Sequence, residues 1–250
     1  MTDSAIWLPL EQELDRWRRR GEQAVFWLRD DDAVDPSAAL DRLLDATQRH
    51  AVPLTLAVIP HETGQALVRR LGTAPHVSVA VHGWSHENHA PAGEKKQELG
   101  RHRAADVVLG QLRAGAAHLS RLHGDRFAAV LVPPWNRIEA ALLSYLPGIG
   151  YAGLSVFGPE QPSAIRTVNT HVDLIDWKLT RGGREPAALV DELVARMRQT
   201  GDTGGTIGLL THHLVHDEKA WSFLERLFDL TSDHPACRWL PVSDLLADRR

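Results

Sequence analysis

The stretch Val77-Ser78-Val79-Ala80-Val81-His82-Gly83-Trp84-Ser85-His86 decides how the rest of the chain is read. An apolar run of strand length ends in two histidines at i and i+4 around one turn, and imidazoles so placed can point the same way and grip one metal ion. Such a site needs a third, harder ligand. The run Ala24-Val25-Phe26-Trp27-Leu28 supplies one, because it ends in Arg29-Asp30-Asp31-Asp32, a carboxylate cluster where a strand should stop. With 14 histidines in 250 residues a pair at this spacing arises readily by chance, so its meaning depends on where the other polar residues fall.

Upstream, residues 8–20 read as an amphipathic helix with Leu8, Leu14 and Trp17 on one side, a solvated arginine face (Arg16, Arg18, Arg19, Arg20) on the other, and Gly21 as its end. Residues 24–29 form the first strand, and Asp35-Pro36 caps a helix carrying Leu40, Leu43 and Leu44 at helical spacing. The second strand, residues 53–59, is nearly all apolar, as expected of a strand covered on both faces, and stops at Pro60-His61. A short helix to residue 71 leads to the third strand and the histidine pair.

Downstream, a polar loop at 87–93 feeds a long helix at 94–122 with Leu99, Val108, Leu112 and Leu119 inside. Strand four, 127–132, ends in Pro133-Pro134-Trp135-Asn136-Arg137 and is followed by a helix at 138–146. Strand five covers 151–156; strand six, 170–175, runs into Asp173-Leu174-Ile175-Asp176-Trp177. Glu185-Pro186 starts another helix. Strand seven, 206–210, ends in Thr211-His212-His213, and a last helix carries Trp221, Leu224 and Phe228.

Alternating strands and helices imply parallel pairing with right-handed crossovers, and about seven such units suit an α/β fold of the (β/α) barrel kind better than an open sheet. No internal repeat, low-complexity tract or linker interrupts them, so residues 1–250 read as a single domain. The polar clusters at Asp30 to Asp32, His61, His82/His86, Pro133 to Arg137, Asp173/Asp176 and His212/His213 all fall at the carboxyl ends of strands, the face where such barrels hold their sites. Scattered structural histidines have no reason to do this.

Composition narrows the partners. With 28 Lys+Arg against 32 Asp+Glu the formal net charge is −4, which offers no basic field for nucleic acid or an anionic membrane. No apolar run approaches the roughly 18 residues of a membrane span. The single cysteine, Cys237, reads as a packing residue and has no disulfide partner in the chain. The N-terminus, Met1 to Trp7, lacks a basic region followed by a long apolar one, and a cytoplasmic protein is the expectation.

One carboxylate and two imidazoles leave a position open for water, the arrangement of a catalytic divalent-metal site, with zinc ahead of cobalt or manganese. Of the adjacent aspartates, one can ligate while another takes the water's proton. Asp30 suits a solvated charge run or a helix cap. His212 or His213 would suit the general acid that protonates a leaving amine.

The stretches Arg29-Asp30-Asp31-Asp32, His82-Gly83-Trp84-Ser85-His86, Pro133-Pro134-Trp135, Asp173-Leu174-Ile175-Asp176-Trp177 and Leu209-Leu210-Thr211-His212 together resemble, in order and context, the polysaccharide deacetylase family, the NodB-homology carbohydrate esterases. The resemblance spans residues 24–213. It implies a distorted (β/α) barrel and metal-dependent removal of acetyl from N-acetylated sugars. On it, Asp31 is the base and Asp32, His82 and His86 are the metal ligands. The Trp135 backbone N–H is the oxyanion donor, Trp177 and Leu210 wall the acetyl pocket, and His212 is the acid, oriented by Asp173. Pro134 and His61 fall on the same rim as substrate contacts.

The chain departs from the family pattern at Val132, where an arginine that bonds the base is usual, and at Ala33, where glycine is usual. Arg137 is the candidate to reach back in place of the missing arginine. His61 and the group His89, Lys95 and Lys96 are either substrate contacts or plain loop and helix-start residues. The expected substrate is an N-acetylated sugar; the alternatives are a small non-sugar amide for the same apparatus, or a catalytically silent barrel that binds a glycan or metabolite.

Overall fold

The computed structural model describes residues 3–247. In chain order its elements are α1 (Asp3–Arg20), β1 (Ala24–Ala33), α2 (Ala38–Arg49), β2 (Leu54–Val58), α3 (Gln65–Leu71), β3 (Val77–His82), α4 (Ala105–His123) and β4 (Phe127–Val132). There follow β5 (Gly153–Leu154), β6 (Arg166–Thr167), β7 (Val172–Asp173), α5 (Pro186–Thr203), β8 (Ile207–Thr211), α6 (Glu218–Thr231), β9 (Cys237–Trp239) and α7 (Val242–Ala247). Residues 1–2 and 248–250, included in the single-domain expectation, lie outside the described part. The chain divides into two compact units.

The first unit comprises the chain up to Asp30, Ser37–Leu54 and Thr170–Pro241. Here β1 pairs in parallel with β8, Phe26 to Asp30 lying opposite Ile207 to Thr211; β8 pairs in parallel with β7, and β9 pairs in parallel with the start of β1. Helix α1 lies along α5. Its inward face is Trp7, Leu10, Leu14 and Trp17, which follow the helical period, while Leu8 is 48% exposed. The expected place of Leu8 on the buried side is therefore corrected. Between these helices the buried Glu13 carboxylate accepts from Trp17 Nε1 and from Arg198 Nε, each at 3.1 Å. Cys237 is buried and free, and burial pushes its thiol up to about 12, so it packs rather than reacts.

Helix α6 begins at an aspartate cap: Asp217 Oδ1 accepts from Ala220 N at 2.9 Å and from Gly183 N at 3.0 Å. Asp217→Ala removes both bonds. The expected loss is about 1 kcal/mol, read as a fall in Tm of roughly 2–4 °C in thermal unfolding.

The second unit comprises Asp31–Pro36, Thr55–Asn169 and the chain from Val242. Its strands run in the order β6-β5-β4-β3-β2 with parallel pairing at β3–β4, β4–β5 and β5–β6. Every residue of β2 is buried, as its apolar sequence requires. Helix α4 covers β3 and β4 with Val108, Leu112 and Leu119.

Four expectations on element bounds need correction. Strand β1 runs on to Ala33, so the aspartates lie within the strand rather than beyond it. The long helix starts only at Ala105; Glu98, buried with Leu99, is drawn into a loop by bonds to the histidine turn that a helix would deny it. Residues 140–145 form a 3-10 turn rather than an α-helix. Strands five and six shrink to the two-residue β5 and β7, while β6 and β9 are additional. Pairs this short carry no alternation from which sequence can distinguish strand from loop.

Candidate metal centre and catalytic residues

In the second unit, β1 brings Asp32 and β3 brings His82 to one place, and the turn after β3 returns His86 to them. Asp32 Oδ1 stands 3.0 Å from His82 Nε2 and 3.2 Å from His86 Nε2. One ligand atom from each residue lies within 4.8 Å of the others. His82 Nδ1 is 3.0 Å from the Val132 carbonyl oxygen, which can only accept, so Nδ1 carries the proton. The lone pair of a neutral His82 Nε2 then opposes a carboxylate oxygen, an arrangement that needs a proton or a metal ion between them. Two imidazoles and one carboxylate, one ring fixed by a backbone carbonyl, fit a divalent ion of the zinc, cobalt or manganese kind. Burial first, and His82 second, hold the His86 pKa below its ordinary value, which keeps that ring neutral and able to ligate.

The sequence builds this turn with two devices. Gly83 has φ +58°, and a Cβ there would come within 2.6 Å of Pro134 Cγ. The buried Glu98 carboxylate accepts from Trp84 N at 3.1 Å and from Ser85 N at 2.8 Å, fixing the backbone between the two histidines. Gly83→Ala should cost about 1–3 kcal/mol through φ strain and overpacking, and metal titration should show weakened binding as His82 and His86 are pushed apart. Strained backbone marks the same place. Asp32 (φ 71°), His86 (φ 58°) and Trp135 (φ 54°) all adopt the left-handed region that such residues rarely occupy.

Around the triad, Asp31 is buried in β1. The ring of Trp135 lies 4.4 Å from that of His86, with Lys96 5.9 Å over its face. The Trp135 N–H belongs to the opening of the 3-10 turn Pro134–Asn136, where leading amides have no acceptor within the turn. Pro134 is buried under Gly83. His61 is exposed and packs edge-on against Trp84, its backbone N–H donating to the Trp84 carbonyl at 3.0 Å. Arg137 does not reach back to Asp31: following that turn in extended backbone, it donates to the Lys96 carbonyl at 2.8 Å and lines a cavity of about 410 Å³ with Gln97, Asn136 and Asn169. Lys95 and Lys96 lie in a loop, not at a helix start.

The other expected residues lie in the first unit. Asp173 Oδ2 accepts from Trp177 Nε1 at 2.9 Å, and the exposed Trp177 ring stands edge-on to His212 with centroids 4.6 Å apart. Leu210 is buried in β8. The two adjacent histidines part company. His213 is 1% exposed and bonded through Nδ1 to Asp30, itself 0% exposed, at 2.5 Å. Burial alone would raise the Asp30 pKa, but the His213 charge and bond and the Thr211 hydroxyl outweigh it and hold the carboxyl below its usual range. Asp30 is thus neither a solvated charge nor a helix cap, correcting that expectation.

No family model matches the sequence, and no curated protein matches it. Solved structures do. A Mycobacterium smegmatis protein assigned to the polysaccharide deacetylases superposes with a TM-score of 0.69 at 16% identity, covering 91% of this chain and 90% of its own. The chitin deacetylase of Colletotrichum lindemuthianum gives 0.61 at 20% identity, covering 91% and 89%. The peptidoglycan deacetylase PdaC of Bacillus subtilis gives 0.58 at 19% identity, covering 90% and 91%. The fold is that of the polysaccharide deacetylases.

The fold class is therefore the distorted (β/α) barrel of parallel strands, as expected. Upon this deacetylase fold the chain sets features that sequence reading missed: the Glu98 strap, the Asp30–His213 pair, and the wholly buried cation Arg29. A glutamate beside the apolar Leu99 gives little signal, because the same pattern suits a helix face. The doubled His212-His213 was a signal, but sequence alone did not assign the two roles.

Proposed function

We propose that this chain is a divalent-metal-dependent hydrolase that removes acetyl groups from an N-acetylated carbohydrate. The observation that carries it is the clustering of Asp32, His82 and His86 beside the strained Trp135 turn, on a deacetylase fold. The likeness to chitin and peptidoglycan deacetylases supports an acetylated sugar as substrate. Asp32, His82 and His86 would hold the ion, zinc ahead of cobalt or manganese, which when bound acidifies water and polarises the acyl oxygen. Asp31 takes the proton of the attacking water. The Trp135 N–H donates to the oxygen of the tetrahedral intermediate. His212 gives a proton to the nitrogen as the C–N bond breaks, and Asp173, which accepts from Trp177, keeps the His212 ring in place.

The whole chain acts as one deacetylase domain in this reading, within the cytoplasm, where soluble acetylated sugars and sugar conjugates are the available substrates. A panel of N-acetylglucosamine oligomers and conjugates against simple acetamides tests it. Turnover of the sugars above the simple amides is expected; preference for the simple amides would shift the substrate class. Val132, apolar and buried where the family carries arginine, is the feature that favours a silent binding barrel. Metal-dependent turnover of any acetamide rules that out.

A further inference from the structure

We propose that Asp30 is a positioning residue for His212, clamping the chain on both sides of it through Thr211 and His213. This rests on His212 being the acid of the proposed deacetylation. Asp30 lies opposite Thr211 in the β1–β8 register, and its carboxylate accepts from Thr211 Oγ1 at 2.6 Å, from His213 N at 2.8 Å and from His213 Nδ1 at 2.5 Å. All three residues are buried, and a carboxylate removed from water holds such partners tightly because unpaired burial is costly. His212 sits between the two clamped neighbours. Its backbone (φ −143°, ψ 88°) is neither that of the strand end before it nor that of the 3-10 turn His213–Val215 after it, so its direction depends on how those two flanks are held.

The clamp also distinguishes the two histidines. The His213 imidazole is bonded to Asp30, whereas the His212 ring leans edge-on against exposed Trp177. A general acid must present its proton within hydrogen-bond reach of the leaving nitrogen, and misplacement of about 1 Å costs on the order of 100-fold in rate. As the C–N bond breaks, its electron pair stays on nitrogen and the His212 proton joins it, leaving a neutral amine and a neutral imidazole. An aryl ester needs none of this, since its phenolate leaves unprotonated.

The test measures kcat on an N-acetylglucosamine oligomer and on 4-nitrophenyl acetate for the metal-loaded parent, Thr211→Val, His213→Leu and His213→Asn, with metal content as the check of integrity. Thr211→Val and His213→Leu are expected to lower the amide-to-ester activity ratio by about 10- to 100-fold. His213→Asn, which keeps a donor near the Nδ1 position, should restore most of the ratio. Equal loss of both activities, as from a merely structural role, or an unchanged ratio in Thr211→Val should His213→Leu fail to fold, overturns the clamp. A parent that hydrolyses neither substrate overturns the deacetylase reading with it.

Discussion

Asp31→Asn is expected to lower kcat on an N-acetylated sugar by about 100- to 10,000-fold, the range that a positioned general base contributes, while leaving the metal in place. The substitution changes almost nothing in size, and the residue is buried, so the fold has no cavity to absorb. What it removes is the ability to take a proton. The neighbouring Asp32 carries the geometry of a ligand, with its Oδ1 facing both histidines at 3.0 and 3.2 Å. Steady-state kinetics with elemental analysis of the same preparation checks this. Loss of the metal from Asp31→Asn would exchange the roles of the two aspartates.

The second large effect is at His212. His212→Asn should lower amide hydrolysis by a similar 100- to 10,000-fold and spare the hydrolysis of 4-nitrophenyl acetate. The ester result separates loss of the acid from loss of the metal site, because a damaged site forfeits both substrates. Unchanged amide hydrolysis in His212→Asn would move the acid elsewhere.

The alternation of apolar strands and helices made the α/β fold legible, since strands such as β2 and β3 are buried on both faces and cannot hide in sequence. The candidate metal set was legible for a related reason: Asp32 lies near the end of one such run, His82 closes another, and His86 follows it by one turn. The features that escaped depend on long-range partners. Glu98 lies 14 residues beyond the Trp84 amide it accepts from, in a stretch whose periodicity suits a helix. Asp30 bonds Thr211 across 181 residues of sequence, and nothing in Arg29-Asp30-Asp31-Asp32 distinguishes a buried carboxylate from a solvated one. Arg137 was expected to replace the arginine missing at Val132, but the tight Pro134–Asn136 turn sends it to the Lys96 carbonyl.

Metal content bears most directly on the proposed chemistry. Elemental analysis of the purified chain and of the His82→Ala/His86→Ala double variant should find about one equivalent of divalent ion in the parent, as a single triad requires, and none in the variant. A parent that stays metal-free after incubation with zinc, cobalt and manganese would contradict metal-dependent deacetylation and leave a binding protein built on a deacetylase fold.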